Sequence, residues 1–142
     1  MRLFALVLAA ALVGLLAGCE RGIVDPQDVQ QNMLPGTISG LVVVDPDANT
    51  TAAGVTVELY CSCDDYRLNR PMKITVTDAD GLYSFGGVCC GTHYLAAWKD
   101  MDQNGWLSSG DFSVNRNTPD QYCCQLAGQG TMVVNISISE VP

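Results

Sequence analysis

The chain has 142 residues, with 7 basic against 15 acidic side chains and a formal net charge of −8. That length accommodates one ordinary domain and excludes a multidomain enzyme. The excess of acid excludes nucleic acid as a partner, because phosphate backbones are held by basic patches. Residues 3–16, LFALVLAAALVGLL, are apolar or glycine throughout, whereas the rest is polar, rich in Gly and Asp, and carries short β-branched runs.

At the N-terminus, Met1-Arg2 supplies a short positive start ahead of that apolar stretch. A bilayer needs roughly 20 apolar residues, so the stretch has signal-peptide rather than spanning length. It closes on Leu16-Ala17-Gly18-Cys19, which resembles the lipobox of bacterial lipoproteins. The resemblance implies that residues 1–18 are a signal peptide cleaved before Cys19. It also implies a diacylglyceryl thioether on the Cys19 sulfur and a fatty acyl chain such as palmitate on the new amino terminus. Several acyl chains hold a membrane more firmly than one. Under the sorting rule of that class, Glu20 in place of Asp favours the outer membrane. The expected location is therefore the bacterial cell envelope, anchored by lipid. Cleavage would leave 6 basic and 15 acidic side chains, a charge of −9.

Residues 20–35, ERGIVDPQDVQQNMLP, keep no period and contain two prolines. With Cys19 they read as a tether, residues 19–35, spanning about 20–24 Å on average. From Gly36 the pattern turns to short strands separated by turn residues, and residues 36–142 read as one domain. Gly36–Val44 is a β-branched run closed by Asp45-Pro46-Asp47, and Val55–Tyr60 places Val55, Val57 and Leu59 on one face. Met72–Thr77 follows, with Asp78-Ala79-Asp80-Gly81 as a plain hairpin turn and Leu82–Phe85 as its partner strand. Thr92–Lys99, Tyr122–Leu126 and the alternating Thr131–Ser139 complete the set. About seven strands without a helical stripe predict an all-β fold, a sandwich or a barrel.

Gly40-Leu41-Val42-Val43, Ala53–Leu59, Thr77–Phe85 and Gly91–Leu95 follow one another in an order that resembles carboxypeptidase regulatory-like domains. These are prealbumin-like Greek-key sandwiches related to the B-type repeats of Gram-positive adhesins. The resemblance covers residues 36–139 and implies a Greek-key immunoglobulin-like or prealbumin-like sandwich with a non-catalytic role. Some adhesin B-type domains carry a Lys–Asn isopeptide bond with the lysine on the first strand. Gly36–Val44 contains no lysine, so none is expected here.

The stretch Asp100–Asp111 (DMDQNGWLSSGD) has calcium-loop spacing. Oxygen-bearing side chains fall at its positions one, three, five, nine and twelve, with glycine at six and Leu107 at eight. Calcium takes about six to eight hard oxygens around one point, which alternate residues of a tightly wound loop supply. The expected ligands are Asp100, Asp102, Asn104, Trp106 through its carbonyl, Ser108 directly or through water, and Asp111. The loop lies between strands, so it is not an EF-hand. Comparable loops occur in the adhesin B-type repeats.

Apart from Cys19, the cysteines form three close pairs: Cys61 and Cys63, Cys89 and Cys90, Cys123 and Cys124. In an exported chain an even count reads as disulfides. Neighbouring cysteines make strained bonds, so each pair is expected to bond once with both of the others. Zinc is disfavoured because thiolate pairs in zinc sites are spaced more widely. Each disulfide would contribute about 2–4 kcal/mol.

The single histidine, His93, reads as a packed or surface residue, and Asp64, Asp65 and Arg67 as a solvated loop. No nucleophile elbow or phosphate loop is present, so no enzyme is expected. The expected function is a lipid-anchored structural or interaction module, stabilised by calcium and disulfides, with an envelope protein as partner. The alternative is a carbohydrate-binding module that contacts glycan through exposed aromatics, foremost Trp106 at the loop tip, with Tyr94 and Trp98 packed in or beside the core.

Overall fold

The computed structural model describes residues 34–45, 52–89, 91–126 and 128–142. The signal-peptide and lipobox readings, Cys19, most of the tether, and Cys90 lie outside the described residues. The strands are β1 (Gly36–Val44), β2 (Thr56–Tyr60), β3 (Lys73–Val76), β4 (Leu82–Val88), β5 (Gly91–Lys99), β6 (Phe112–Ser113), β7 (Cys123–Leu126), β8 (Thr131–Val133) and β9 (Ile136–Glu140). One helix, α1 (Cys63–Arg67), and a 3₁₀ turn at Pro119–Tyr122 interrupt them. No helix among the described residues is long and apolar enough to cross a membrane.

The hydrogen-bonded order is β3-β2-β5-β6-β9-β1-β4, with β7 also on β5 and β8 also on β1. β7 pairs with Gly91–Tyr94 and β6 with Trp98–Lys99, on the edge of β5 opposite β2. Similarly, β8 runs parallel to Thr37–Ser39 and β9 to Val42–Val44 along one edge of β1. Nine segments therefore fill seven strand positions of an all-β, immunoglobulin-like or prealbumin-like Greek-key sandwich. Period-two alternation sends Ile38, Val42, Val57, Leu59, Leu95, Ile136 and Ile138 into the buried interior.

Three local expectations are corrected. First, the Asp78–Gly81 turn forms, with Asp78 Oδ1 accepting from the Asp80 and Leu82 amides at 3.0 and 2.9 Å. The strands it joins do not pair with each other: β3 pairs with β2, and β4 with β1. The turn is a crossing between the two halves of the sandwich.

Second, Thr131–Ser139 is not one strand. It breaks at Val134-Asn135, where the Val134 carbonyl accepts the Tyr83 hydroxyl at 2.6 Å and the Leu41 amide donates to Asn135 Oδ1 at 3.0 Å. Gly40 makes room for this, since a Cβ there would stand 1.8 Å from the Val134 oxygen.

Third, Asp64, Asp65 and Arg67 belong to α1 rather than to a solvated loop. Ser62 caps it by accepting from the Asp65 amide at 3.0 Å, a common helix start. The helix places Tyr66 against Tyr60 with ring centroids 5.1 Å apart.

Candidate functional site

The loop expected to hold calcium links β5 to β6. The Met101 amide donates to Asp111 Oδ1 at 2.8 Å, which ties its first turn to its last residue. The Ser108 amide and hydroxyl donate to Asp111 Oδ2 at 2.7 and 3.0 Å. The Gly105 amide donates to Asp100 Oδ2 at 2.8 Å, and the Asn104 amide to Asp102 Oδ1 at 3.1 Å. Gly105 adopts φ of 83°, the left-handed region a tight turn needs there. The exit is clamped to the last strand's continuation, with the Gly110 amide donating to the Val141 carbonyl at 2.9 Å.

The winding brings one carboxylate oxygen each of Asp100, Asp102 and Asp111 within 4.8 Å of one another. Asp111 is 1% exposed, and its pKa is lowered, first by the Met101 amide and then by the Ser108 amide. Asp100 Oδ1 is buried without a hydrogen-bond partner. Asn104 Nδ2 donates to Asp102 Oδ2 at 2.7 Å and to Ser108 Oγ at 3.2 Å, so both side chains border the carboxylates. The Trp106 amide donates to Asn104 Oδ1 at 2.7 Å, while the Trp106 residue is 77% exposed.

Beside the loop lies a polar network that the strand pattern did not announce. β2 is buried on both faces. Its outward residues Glu58 and Tyr60 are covered by α1 and by Arg116. Arg116 Nη2 stands 2.7 Å from Glu58 Oε2, with 28% and 8% of the two side chains exposed. Tyr60 donates to the same oxygen at 2.6 Å, and Trp98 Nε1 donates to Glu58 Oε1 at 3.2 Å. Arg116 Nη1 donates to Asn69 Oδ1 at 2.9 Å. Burial and the Glu58 carboxylate both push the Tyr60 phenol pKa up. The sequence signal was an acid and a tyrosine on the outward phase of β2, but their partner lies 58 residues from Glu58.

Among the described residues Cys61, Cys63, Cys89, Cys123 and Cys124 carry free thiols, and the expected cross-cluster bonds are not formed. The pleat of β7 separates its two cysteines, leaving Cys123 exposed and Cys124 buried. Cys61 Sγ contacts Met72 Sδ at 3.0 Å. The Tyr94 pKa is raised, first by burial and then by the Cys123 and Cys63 thiols. His93 is packed inside, with Nε2 2.8 Å from the Cys89 carbonyl. Tyr94 and Trp98 are half-buried on the outward face of β5.

No protein-family model and no curated protein matches the chain. Among solved structures, it is similar to a Pseudomonas aeruginosa protein provisionally described as carbohydrate-binding, with 14% identity and a TM-score of 0.49 over 75% of this chain and 90% of that one. It is also similar to a minor pilin of Streptococcus agalactiae, with 20% identity and a TM-score of 0.42 over 78% of this chain and 46% of that one. A DUF3823 family protein of Parabacteroides merdae gives 19% identity and a TM-score of 0.42, over 76% and 47%. The likeness is one of architecture.

Proposed function

We propose that this chain is a non-catalytic, lipid-anchored module of the bacterial cell envelope that holds Ca²⁺ in the Asp100–Asp111 loop and presents that loop to a partner. The observation that carries this reading is the convergence of three carboxylates within 4.8 Å, together with the buried, unpartnered Asp100 Oδ1. Like charges at that separation repel one another, and a cation among them removes the repulsion. The donors are hard oxygens, which suit Ca²⁺. Asp100, Asp102 and Asp111 would hold the ion, with Asn104, Ser108 and the Trp106 carbonyl as further ligands. Asp111 in place of a longer Glu argues for affinity of about 10⁻⁴–10⁻³ M, the range of extracellular modules.

The lipid anchor rests on Leu16–Cys19, and the preference for the outer membrane on Glu20. A disulfide brace joining the three cysteine pairs to one another belongs to this reading, because an exported chain meets an oxidising compartment. Glycan binding is the second reading, favoured by the exposed Trp106 indole on the loop.

Adding about 10 mM Ca²⁺ to chelator-treated protein should stabilise it by about 1.4–2.7 kcal/mol through mass action. Scanning calorimetry should show melting several degrees higher, and Asp100→Ala or Asp102→Ala should erase the increase. No shift in the wild type, with no heat of binding at millimolar Ca²⁺, refutes the loop's assignment.

A further inference from the structure

The Asp100–Asp111 loop and the outward face of β2 and β5 enclose a cleft of about 360 Å³. Trp98, Trp106 and Leu107 give it apolar walls, and Glu58, Asn69 and Arg116 line it with polar groups. That size, and aromatic surface set against a few fixed polar groups, are those of small-molecule sites, which occupy roughly 300–1,000 Å³.

The charge arrangement restricts what can enter. Arg116 is already neutralised by Glu58 at 2.7 Å, so the cleft presents no uncompensated positive charge. The adjacent loop keeps a net negative charge even with Ca²⁺ held among its three carboxylates, and the chain is acidic overall, which disfavours an anion. A cation fares no better in the cleft itself, because Tyr60, Arg116 and Trp98 already occupy both Glu58 oxygens. Asn69 remains open. Arg116 donates to its Oδ1, which fixes the amide's orientation and leaves the NH₂ group to donate. Beside it stands an indole with a broad solvent-facing surface. A flat apolar face next to neutral hydrogen-bonding groups suits a ring with C–H bonds on its faces and hydroxyls around its rim.

We propose that this cleft binds neutral saccharides, with a sugar ring stacked on Trp106 and a hydroxyl accepting from Asn69 Nδ2. The proposal rests on the reading that the loop is a presented face, since Trp106 and Leu107 belong to it.

The full chain in millimolar Ca²⁺ is tested against immobilised gluco-, manno- and N-acetylglucosamine oligosaccharides, alongside uronate oligosaccharides of equal length. At least one neutral series should bind about tenfold more tightly than the uronates. Trp106→Ala should weaken binding by about tenfold or more, as expected for loss of an aromatic anchor. Asn69→Gly should weaken it severalfold, while keeping the left-handed backbone that Asn69 adopts at φ 52°. The Trp106 side chain is exposed, so Trp106→Ala should melt within about 2 °C of wild type, whereas Asn69→Gly, which takes an acceptor from Arg116 and Tyr60, should melt a few degrees lower and still fold cooperatively. Undiminished binding by Trp106→Ala, preference for uronates, or no neutral binding at millimolar sugar overturns the proposal. A calcium-induced melting shift without saccharide binding removes this inference and leaves the loop's assignment standing. Loss of both removes the loop's assignment as well.

Discussion

Replacing Arg116 by Met tests whether the Glu58 network holds the outward face of β2 together. Met keeps the length of the side chain and fills similar space, so packing changes little while the charge disappears. The gross attraction at 2.7 Å is about 6 kcal/mol at an effective dielectric constant of 20. Much of that is offset by the cost of removing both groups from water. Breaking a fully buried pair from one side costs about 3–5 kcal/mol, because the remaining charge is stranded. Two features reduce the figure here. Arg116 is 28% exposed, so water already reaches it, and Glu58 keeps the Tyr60 and Trp98 donors at 2.6 and 3.2 Å. The expected loss is about 2–3 kcal/mol. In urea unfolding, with a slope of about 2 kcal/mol/M, the midpoint should fall by about 1–1.5 M. The double variant Glu58→Gln, Arg116→Met leaves no buried charge and should recover more than half of the loss. A midpoint shift below about 0.25 M in Arg116→Met refutes the argument. So does a double variant no more stable than that single one, since the stranded carboxylate would not then be the cause.

Three further outcomes follow from the geometry. Gly40→Ala drives a methyl group into the Val134 carbonyl and should cost about 1–3 kcal/mol, read as a calorimetric melting point lower by at least about 4 °C; an unchanged melting point means the break in the strand pair moves freely. The folded-state pKa of Asp111 lies below its ordinary 3.8, so its contribution is present above that value and is lost as pH falls through the lowered one; thermal melts between pH 5 and pH 2 should fall more steeply for wild type than for Asp111→Asn, and parallel curves would count against the role of the Met101 and Ser108 amides. Oxidised glutathione, itself reduced as it accepts two electrons, should form a bond between cysteines of different pairs, and peptide mapping without reductant should find it; a Cys123–Cys124 bond instead would contradict the opposed directions of the two side chains on β7.

The strands were legible because alternation is a local property: Val55, Val57 and Leu59 share a face in the sequence and in the fold. The Asp78–Gly81 turn was legible for the same reason, since its hydrogen bonds from Asp78 reach no further than four residues on, to Asp80, Gly81 and Leu82. Which strands pair is not local. Leu82–Phe85 reads as the partner of Met72–Thr77, yet β4 joins β1, where Gly40 leaves room for the Val134 carbonyl and Tyr83 bonds to it. Val134-Asn135 continues an alternating pattern, so nothing nearby marks the break. Helix α1 was marked only by Ser62 three residues before Asp65, a capping signal spread over a five-residue helix. The loop's acidic spacing translated into convergent carboxylates because every spaced residue belongs to one winding. The Glu58–Arg116 pair escaped notice because a lone acid in a strand is ordinarily solvated, and only the folded chain brings Arg116 over it.

The parallel run of β9 along Val42–Val44 of β1 has a mechanical consequence. Tension applied ahead of β1 and opposed beyond β9 would pull the two strands lengthwise past each other. Their hydrogen bonds would then share the load in shear, rather than opening one after another as in a zipper. A domain pulled along this axis resists through the whole ladder at once, so its most force-bearing element is the short parallel ladder of three residue pairs between β1 and β9.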